Sequence, residues 1–410
     1  MSGRERLLVA MSGGVDSSVA AALLAEAGHD VTGVTLRLWC HEREPGTARS
    51  CCTLEAIEQA AAAARRLGVP HFVLDAGERF DARVVRPFLD AYAAGRTPYP
   101  CAECNRHLKF GLLLEALDAR GGDAVATGHY ARIAATPDGP GLFRARDAAK
   151  DQSYALALVP RAALARARFP LGGLAKAGVR EHARRLGLDV AERPESQDLC
   201  FVPDGDYAGF VVRRGEGRGT APGPFEDASG RRLGTHRGLV HYTVGQRHGL
   251  GLAAAEPLYV LALDAARDAV IVGPRAALGA GGLVTGPVNW LGAPPAPGTR
   301  ARVRIRYGHP GAAATLHPAA DGTCEVRFDA PQDAVTPGQL AVAGDEAGRV
   351  LGGAVIERAL PAGPARAGAA AAAGVAPGGA ATAPEAAPGG AASTPKAAPG
   401  GAASTPEAAR

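Results

Sequence analysis

Leu7-Leu8-Val9-Ala10 is a short apolar run. Met11-Ser12-Gly13-Gly14-Val15-Asp16-Ser17-Ser18 follows at once, and then an alanine- and leucine-rich run to Ala27. That order reads as strand, tight loop, helix. Two adjacent glycines let a backbone fold closely around a ligand without Cβ clashes. Ser12, Ser17 and Ser18 add hydroxyls, and a helix beginning near Ser17 aims its free N–H groups into the loop, so an anion, most simply a phosphate, belongs there. On the Gly-Gly pair alone, a serine-capped turn without a ligand is the competing reading.

The pattern continues. Val31 to Leu38, Val69 to Leu74 and Ala124 to Thr127 read as strands. Val19 to Glu26, Thr53 to Leu67, Phe80 to Ala94 and Lys109 to Arg120 read as helices. Such alternation predicts an α/β fold, a Rossmann-like parallel sheet with helices on both faces, in which ligands gather beyond the carboxyl ends of the strands. Three unusual segments sit at those ends: the Ser12–Ser18 loop, Trp39-Cys40-His41 and Thr127-Gly128-His129-Tyr130. Lys150 to Phe201 reads as helical and charged. From Asp206 glycine and proline become dense, and His241 to Gly251, Pro257 to Leu263 and Val270 to Gly273 suggest a small β-rich unit. From Gly281 the alternation in Arg302–Tyr307 and Glu325–Phe328 predicts a small barrel. The expected domains are residues 1–205, a central domain 206–278, a β-barrel 279–360 and a tail 361–410. In the tail Ala-Pro-Gly-Gly recurs at Ala376, Ala387 and Ala398 with no apolar pattern, the composition of a disordered extension.

A formal net charge of +4 permits nucleic-acid binding without requiring it. No apolar run is long enough for a bilayer, and the chain enters a strand directly with no signal peptide, so a cytoplasmic protein is expected, with its seven cysteines reduced. Cys101-Ala102-Glu103-Cys104 follows the proline-framed loop Gly95-Arg96-Thr97-Pro98-Tyr99-Pro100, and a helix is expected directly after it. A cysteine at a helix N-terminus has its thiolate favoured by the dipole, and Lys109 stands about one turn on, so Cys104 is a candidate nucleophile. A C-x-x-C is equally compatible with a redox pair, half a zinc site or cluster ligation. Cys200, in Glu195-Ser196-Gln197-Asp198-Leu199-Cys200-Phe201, reads by itself as an inert thiol, as do Cys40, Cys51, Cys52 and Cys324.

Residues 12–18 resemble the pyrophosphate loop of the N-type ATP pyrophosphatases; without a lysine in the required place the loop is not a Walker A motif. With Gly95-Arg96-Thr97-Pro98, Cys104-Asn105, Lys109-Phe110, Thr127–Tyr130, Lys150–Tyr154, Ser196–Phe201, Gly245-Gln246-Arg247, Arg306-Tyr307, Val335–Gln339 and Leu351-Gly352-Gly353, the chain from Leu7 to Leu360 resembles the bacterial tRNA-specific 2-thiouridylases. The resemblance implies ATP-dependent replacement of the 2-oxygen of the wobble uridine (position 34) by sulfur, in tRNAs for lysine, glutamate and glutamine. It implies that ATP, with Mg²⁺, adenylates the base. Sulfur then arrives as a persulfide on Cys200, supplied by a cysteine desulfurase or relay protein, with Cys104 the nucleophile that forms a disulfide with Cys200.

By the same resemblance Ala10, Met11, Ser12, Gly13, Gly14, Val15, Asp16, Ser17 and Leu36 line the nucleotide and Gly128 packs close to it. Tyr99, Pro100, Cys101, Lys150, Asp151, Gln152, Arg306 and Tyr307 match tRNA-contacting positions. Leu36 stands where the family often has methionine, and Tyr99 where it has asparagine. Arg304, Arg306 and Tyr307 together suggest a barrel surface facing RNA. No resident metal is assigned, although an iron–sulfur cluster on Cys101, Cys104 and Cys200 is an alternative route for sulfur. An amidating ligase on the same nucleotide chassis would leave the two cysteines unused, and a redox-sensing tRNA-binding protein would not explain the phosphate loop.

Overall fold

A computed structural model describes residues 3–38, 54–188, 199–202 and 205–362. The Trp39-Cys40-His41 corner, Cys51, Cys52, Ser196–Asp198 and the tail lie outside the described residues.

The first sheet contains β1 (Arg6–Ala10), β2 (Asp30–Arg37), β3 (His71–Asp75) and β4 (Ala124–Thr127). After it comes a hairpin of β5 (Ala131–Thr136) and β6 (Gly139–Arg144), and then a fifth sheet strand, β7 (Ala167–Arg168). The sheet order is β3-β2-β1-β4-β7, and every pairing is parallel. β1 is covered on both faces. Leu7 and Val9 join one core with Val19, Ala60 and Val179, while Leu8 points the other way into a core with Phe110, Leu113 and Tyr154. That is the period-two alternation of a strand buried on both sides. The connection order reverses at β1, which lies between β2 and β4, and this is where such sheets open a ligand crevice. Helix α1 (Val15–Glu26) begins two residues before Ser17, and α2 (Leu54–Leu67) packs beside it.

Three expectations need correction. The helix before the proline-framed loop starts at Gly77 and runs through a π-helical turn, Asp81–Val85, to Ala93. The helix after the loop starts at Pro100, not beyond Cys104: Pro100–Cys104 is α-helical, Asn105–Leu112 is π-helical and Leu113–Asp118 is α-helical. Proline at the first helical position costs no hydrogen bond, which is why the helix can open there. The stretch from Lys150 is not continuously helical. It holds turns, a short helix Arg161–Ala165 and β7, with regular helix only over Lys176–Arg185. Pro160, Pro170 and Gly172-Gly173 interrupt it.

The central unit is a four-stranded sheet of β8 (Gly223–Glu226), β9 (Arg232–His236), β10 (Tyr259–Asp264) and β11 (Ala269–Gly273), ordered β10-β11-β8-β9. β8 and β9 were not legible in the glycine-rich sequence, and His241–Gly251 holds no strand. The last unit comprises β12 (Gly279–Thr285), β13 (Asn289–Trp290), β14 (Thr299–Arg304), β15 (Ala312–Pro318), β16 (Cys324–Asp333), β17 (Leu340–Gly344) and β18 (Val350–Pro361). β12 pairs with both β16 and β18 and so closes the barrel. β14 ends at Arg304, so Arg306 and Tyr307 lie on the turn beyond it.

Candidate active site

The site has two parts at the open edge of the first sheet. The phosphate loop follows β1. Gly13 has φ +74°, and a Cβ there would stand 2.4 Å from the Ala56 carbonyl oxygen, so only glycine fits. Gly14, the N-cap of α1, is different. Its φ is −95°, and a Cβ would meet only the Ser12 hydroxyl at 3.6 Å. The protein itself does not need glycine at position 14; the space a side chain would fill is free to take a ligand. Ser17 Oγ donates to the Gly14 carbonyl at 3.1 Å and accepts from the Ser12 backbone N–H at 3.1 Å. Ser12 is exposed, and Met11 is buried, lying behind the loop rather than in it. From β4, Gly128 packs against the start of α1: its Cβ would stand 2.8 Å from the Ser17 nitrogen. Its smallness therefore lets β4 approach the loop. Next to it, His129 is fully buried, hydrogen-bonds Thr127 at 2.7 Å, and is held neutral because burial, aided by nearby Lys109, pushes its pKa well down.

Asp16 shows a partner that the sequence reading missed. Lys176, at the start of the Lys176–Arg185 helix, donates to both carboxylate oxygens at 2.7 and 2.8 Å, and Tyr130 Oη donates to one of them at 2.8 Å. A compositional signal was available. The chain holds four lysines (Lys109, Lys150, Lys176 and Lys396) among 45 basic residues, and Lys176 meets Asp16 while Lys109 stands near His129. An ammonium is a compact, strongly hydrated point charge that a planar guanidinium does not replace.

The second part is the cysteine helix. Cys104 is buried in a cluster with Phe80, Phe88, Leu108 and Phe201, and Cys200 packs against the same cluster. The structure thus brings two cysteines distant in sequence to one apolar neighbourhood. The Phe201 ring makes edge contacts with Phe80, Phe88 and Phe210, which anchor the end of the Cys200 segment. Cys101, Cys104, Cys200 and Cys324 are outside any disulfide. Cys101 is one helical turn before Cys104 and partly exposed. Among the described residues no three His, Cys, Asp or Glu side chains converge to hold a metal ion. Leu36, on β2, packs against the cores on both sides of this site.

The loop before the helix is held by the other domains. Thr97 N–H donates to the Pro337 carbonyl at 2.9 Å, Gln339 Nε2 donates to the Thr97 carbonyl at 3.0 Å, and Arg96 bridges to Glu357 at 2.7 Å. Gly338, at φ +96°, lies so close to Thr97 that a Cβ would stand 2.9 Å from its backbone. The matching strings at 95–98 and 335–339 are therefore two sides of one seam. Tyr154 completes it: its hydroxyl donates to the Leu340 carbonyl at 3.0 Å and accepts from the Leu340 N–H at 3.1 Å.

Two residues expected at the RNA-facing surface are buried. Arg304 is 8% exposed and donates to Asp151 at 2.7 Å and to Ser153 Oγ at 2.9 Å, so it faces inward and not toward RNA. Asp151 is 6% exposed, and its carboxylate also accepts from Arg144, Ser153 and the Ala145 N–H. Its side chain ties the barrel to the 145–153 turn. Gln152 Oε1 accepts from the Tyr130 N–H at 2.9 Å, bracing the phosphate loop from behind. Lys150 is partly exposed, and Arg306 and Tyr307 are exposed on the barrel. Tyr99 packs edge-on to Tyr154, and Pro100 is buried beneath it.

Comparison with known proteins agrees with this division. Family models match residues 5–204 (tRNA methyl transferase HUP domain), 215–274 (tRNA methyl transferase PRC-barrel domain) and 280–356 (aminomethyltransferase beta-barrel domain). The tRNA-specific 2-thiouridylase MnmA of Xanthobacter autotrophicus is 49% identical over 363 residues, covering 86% of this chain and 93% of the relative. Those of Rhodospirillum rubrum and Syntrophotalea carbinolica are each 49% identical over 85% of this chain and 95% and 97% of their own lengths. A solved NMN synthetase from Francisella tularensis is similar over 47% of this chain and 67% of its own, at 16% identity and a TM-score of 0.29, too low to bear on the argument. With identity of this order extending across all three structural units, the chain belongs to the family of tRNA-specific 2-thiouridylases.

Proposed function

We propose that this protein is an ATP-dependent tRNA 2-thiouridylase acting on the wobble uridine. One observation carries the reading: Cys104 and Cys200 share one apolar cluster on the sheet whose switch point bears the phosphate loop. ATP transfers its adenylyl group to the uridine 2-oxygen, which turns a poor leaving group into AMP. Pyrophosphate leaves into the loop of residues 12–18, where N–H groups at the start of α1 meet its charge. Lys176 is placed to exchange Asp16 for phosphate. Mg²⁺ bound with ATP supplies charge neutralisation, and Asp16, as placed, is engaged by Lys176 and Tyr130.

Sulfur then arrives as a persulfide on Cys200. The terminal sulfur attacks C2 of the base, the Cys104 thiolate attacks Cys200 Sγ, and the S–S bond to the base breaks as a Cys104–Cys200 disulfide forms. AMP departs with the original oxygen, and a thiol reductant resets the disulfide. The persulfide donor is a cysteine desulfurase or a relay protein, and the substrates are tRNAs for lysine, glutamate and glutamine. Among the described residues no helix is long and apolar enough to cross a membrane.

Nucleoside analysis of tRNA treated with the enzyme, ATP and a persulfide donor tests this. Cys104→Ser and Cys200→Ser are each expected to abolish 2-thiouridine while leaving ATP binding within about twofold. Full product from either variant would overturn that cysteine's role.

A further inference from the structure

Sulfur transfer as proposed uses Cys104 and Cys200 and leaves Cys101 without a task, although the C-x-x-C spacing is also that of a redox pair. The cysteine helix divides two cores. Ala102 is buried in the core that holds Phe110, Leu113 and Tyr154, and Asn105 Nδ2 donates to the Ala155 carbonyl at 2.9 Å, between Tyr154 and Leu156 of the same core. Cys104 and Leu108 are buried in the other core with Phe80, Phe88 and Phe201, and Cys200 packs against it. Cys101 is one turn before Cys104 and by helical spacing shares its face. Exposure rises along that face toward the helix start: Leu108 is 0% exposed, Cys104 9%, and Cys101 is partly exposed. Cys101 is therefore the outermost thiol of the face whose inner thiol meets the Cys200 cluster. Helical residues three apart have Cα atoms about 5 Å from each other, inside the span of a disulfide. A Cys104–Cys200 disulfide, by contrast, forms among Phe80, Phe88 and Phe201, which stand between the Cys104 sulfur and a reductant in solution. A solution thiol that attacked the Cys200 sulfur instead would leave a mixed disulfide on the residue that takes the next persulfide.

Resting on the tRNA-thiolation reading, we propose that Cys101 is the resolving thiol that resets the site after each turnover. The Cys101 thiolate attacks Cys104 Sγ, the Cys104–Cys200 bond breaks, and Cys200 leaves as a thiolate ready for the next persulfide. A Cys101–Cys104 disulfide takes its place. The exchange is thiolate for thiolate and disulfide for disulfide, so it needs no oxidant, reductant or proton. A thiol reductant then attacks the partly exposed Cys101, and Cys104 departs as a thiolate. A second reductant thiol removes the first from Cys101, and the two reductant sulfurs end as their own disulfide, having supplied the two electrons. The exposed end of the pair thus meets the reductant, while the buried end stays with the chemistry.

The test traps the thiols of the full chain after one turnover. Protein carrying a persulfide on Cys200 is given ATP and tRNA without reductant, quenched with N-ethylmaleimide, digested and mapped by mass spectrometry. The expected product is a Cys101–Cys104 disulfide with Cys200 alkylated. A second measurement needs no tRNA. The unaltered chain and Cys101→Ser are each oxidised with one equivalent of diamide, mapped, and then reduced with dithiothreitol. The unaltered chain is expected to hold the Cys101–Cys104 link and the variant the Cys104–Cys200 link, and the variant is expected to be reduced about tenfold more slowly. Equal reduction rates, or a Cys104–Cys200 disulfide that persists in the unaltered chain, would overturn the relay. If the trapped turnover yields no 2-thiouridine, the functional reading fails instead; 2-thiouridine with Cys104–Cys200 as the linkage removes the relay alone.

Discussion

The phosphate loop and the cysteine loop sit on the same sheet but are built in opposite ways. The first is nearly self-contained. Between Ser12 and Ser18 the glycine backbone and the serine hydroxyls bond one another, Gly128 and Ala56 set the clearances around them, and only Asp16 reaches out, to Lys176 and Tyr130. The second has little internal support. Its conformation is imposed by Pro337, Gln339, Ile356 and Glu357 from the barrel and by Thr243 from the central unit. Binding a phosphate needs donors already in place, which one short segment can provide. Bringing Cys104 and Cys200 together beside a loop with little internal support needs walls from several units. A change in the barrel should therefore reach the cysteines before it reaches the nucleotide.

The sharpest way to break that contrast is Arg304→Met. It leaves Asp151 buried without its closest cationic partner and should cost about 3–5 kcal/mol of stability in denaturant unfolding. Thiolation should fall more steeply than ATP binding; an equal fall would mean that the two regions are not separable. Next come the paired glycines. Gly13→Ala forces a residue into a left-handed conformation against Ala56 and should cost about 2 kcal/mol. Gly14→Ala should alter stability by less than about 0.5 kcal/mol yet weaken ATP binding, because its methyl group enters open ligand space. Equal unfolding midpoints for the two variants would contradict the assignment. Tyr154→Phe removes a hydroxyl bonded twice to Leu340 and should cost about 1.5 kcal/mol, with tRNA turnover affected and ATP affinity spared.

The smallest effect is on pH. His129 has its pKa lowered from 6.5 by burial, so the unfolded chain binds a proton that the folded chain refuses. The stability from keeping it neutral is complete above pH 6.5 and is lost as the pH falls toward the folded value. Unfolding free energy should drop by about 1 kcal/mol between pH 6.5 and 5.5, and His129→Asn should remove that part of the slope.

Much of the first domain was legible because its signals are local. Apolar runs of strand length gave β1 to β4 to within one or two residues, and Gly13, Gly14 and the adjacent serines marked the loop. The short strands β7, β8 and β9 were not legible; two to five residues rich in arginine and glycine carry no period, and only their neighbours make them strands. The cysteine helix was read as starting too late because a C-x-x-C draws attention to itself, while Pro100 is an equally valid helix start. Arg304, Arg306 and Tyr307 are adjacent and alike in sequence. Only the end of β14 turns the first inward to Asp151 and leaves the others outside.

The sequence by itself determined the strand, tight glycine loop and helix start that a phosphate site requires, because that pattern needs only consecutive residues. Tertiary structure alone decided that Asp16 answers to Lys176, that Asp151 is a buried tie and that Tyr99 faces Tyr307. Each of those is a contact across a long sequence separation, set by how three folded units close on one another, and no local pattern encodes it.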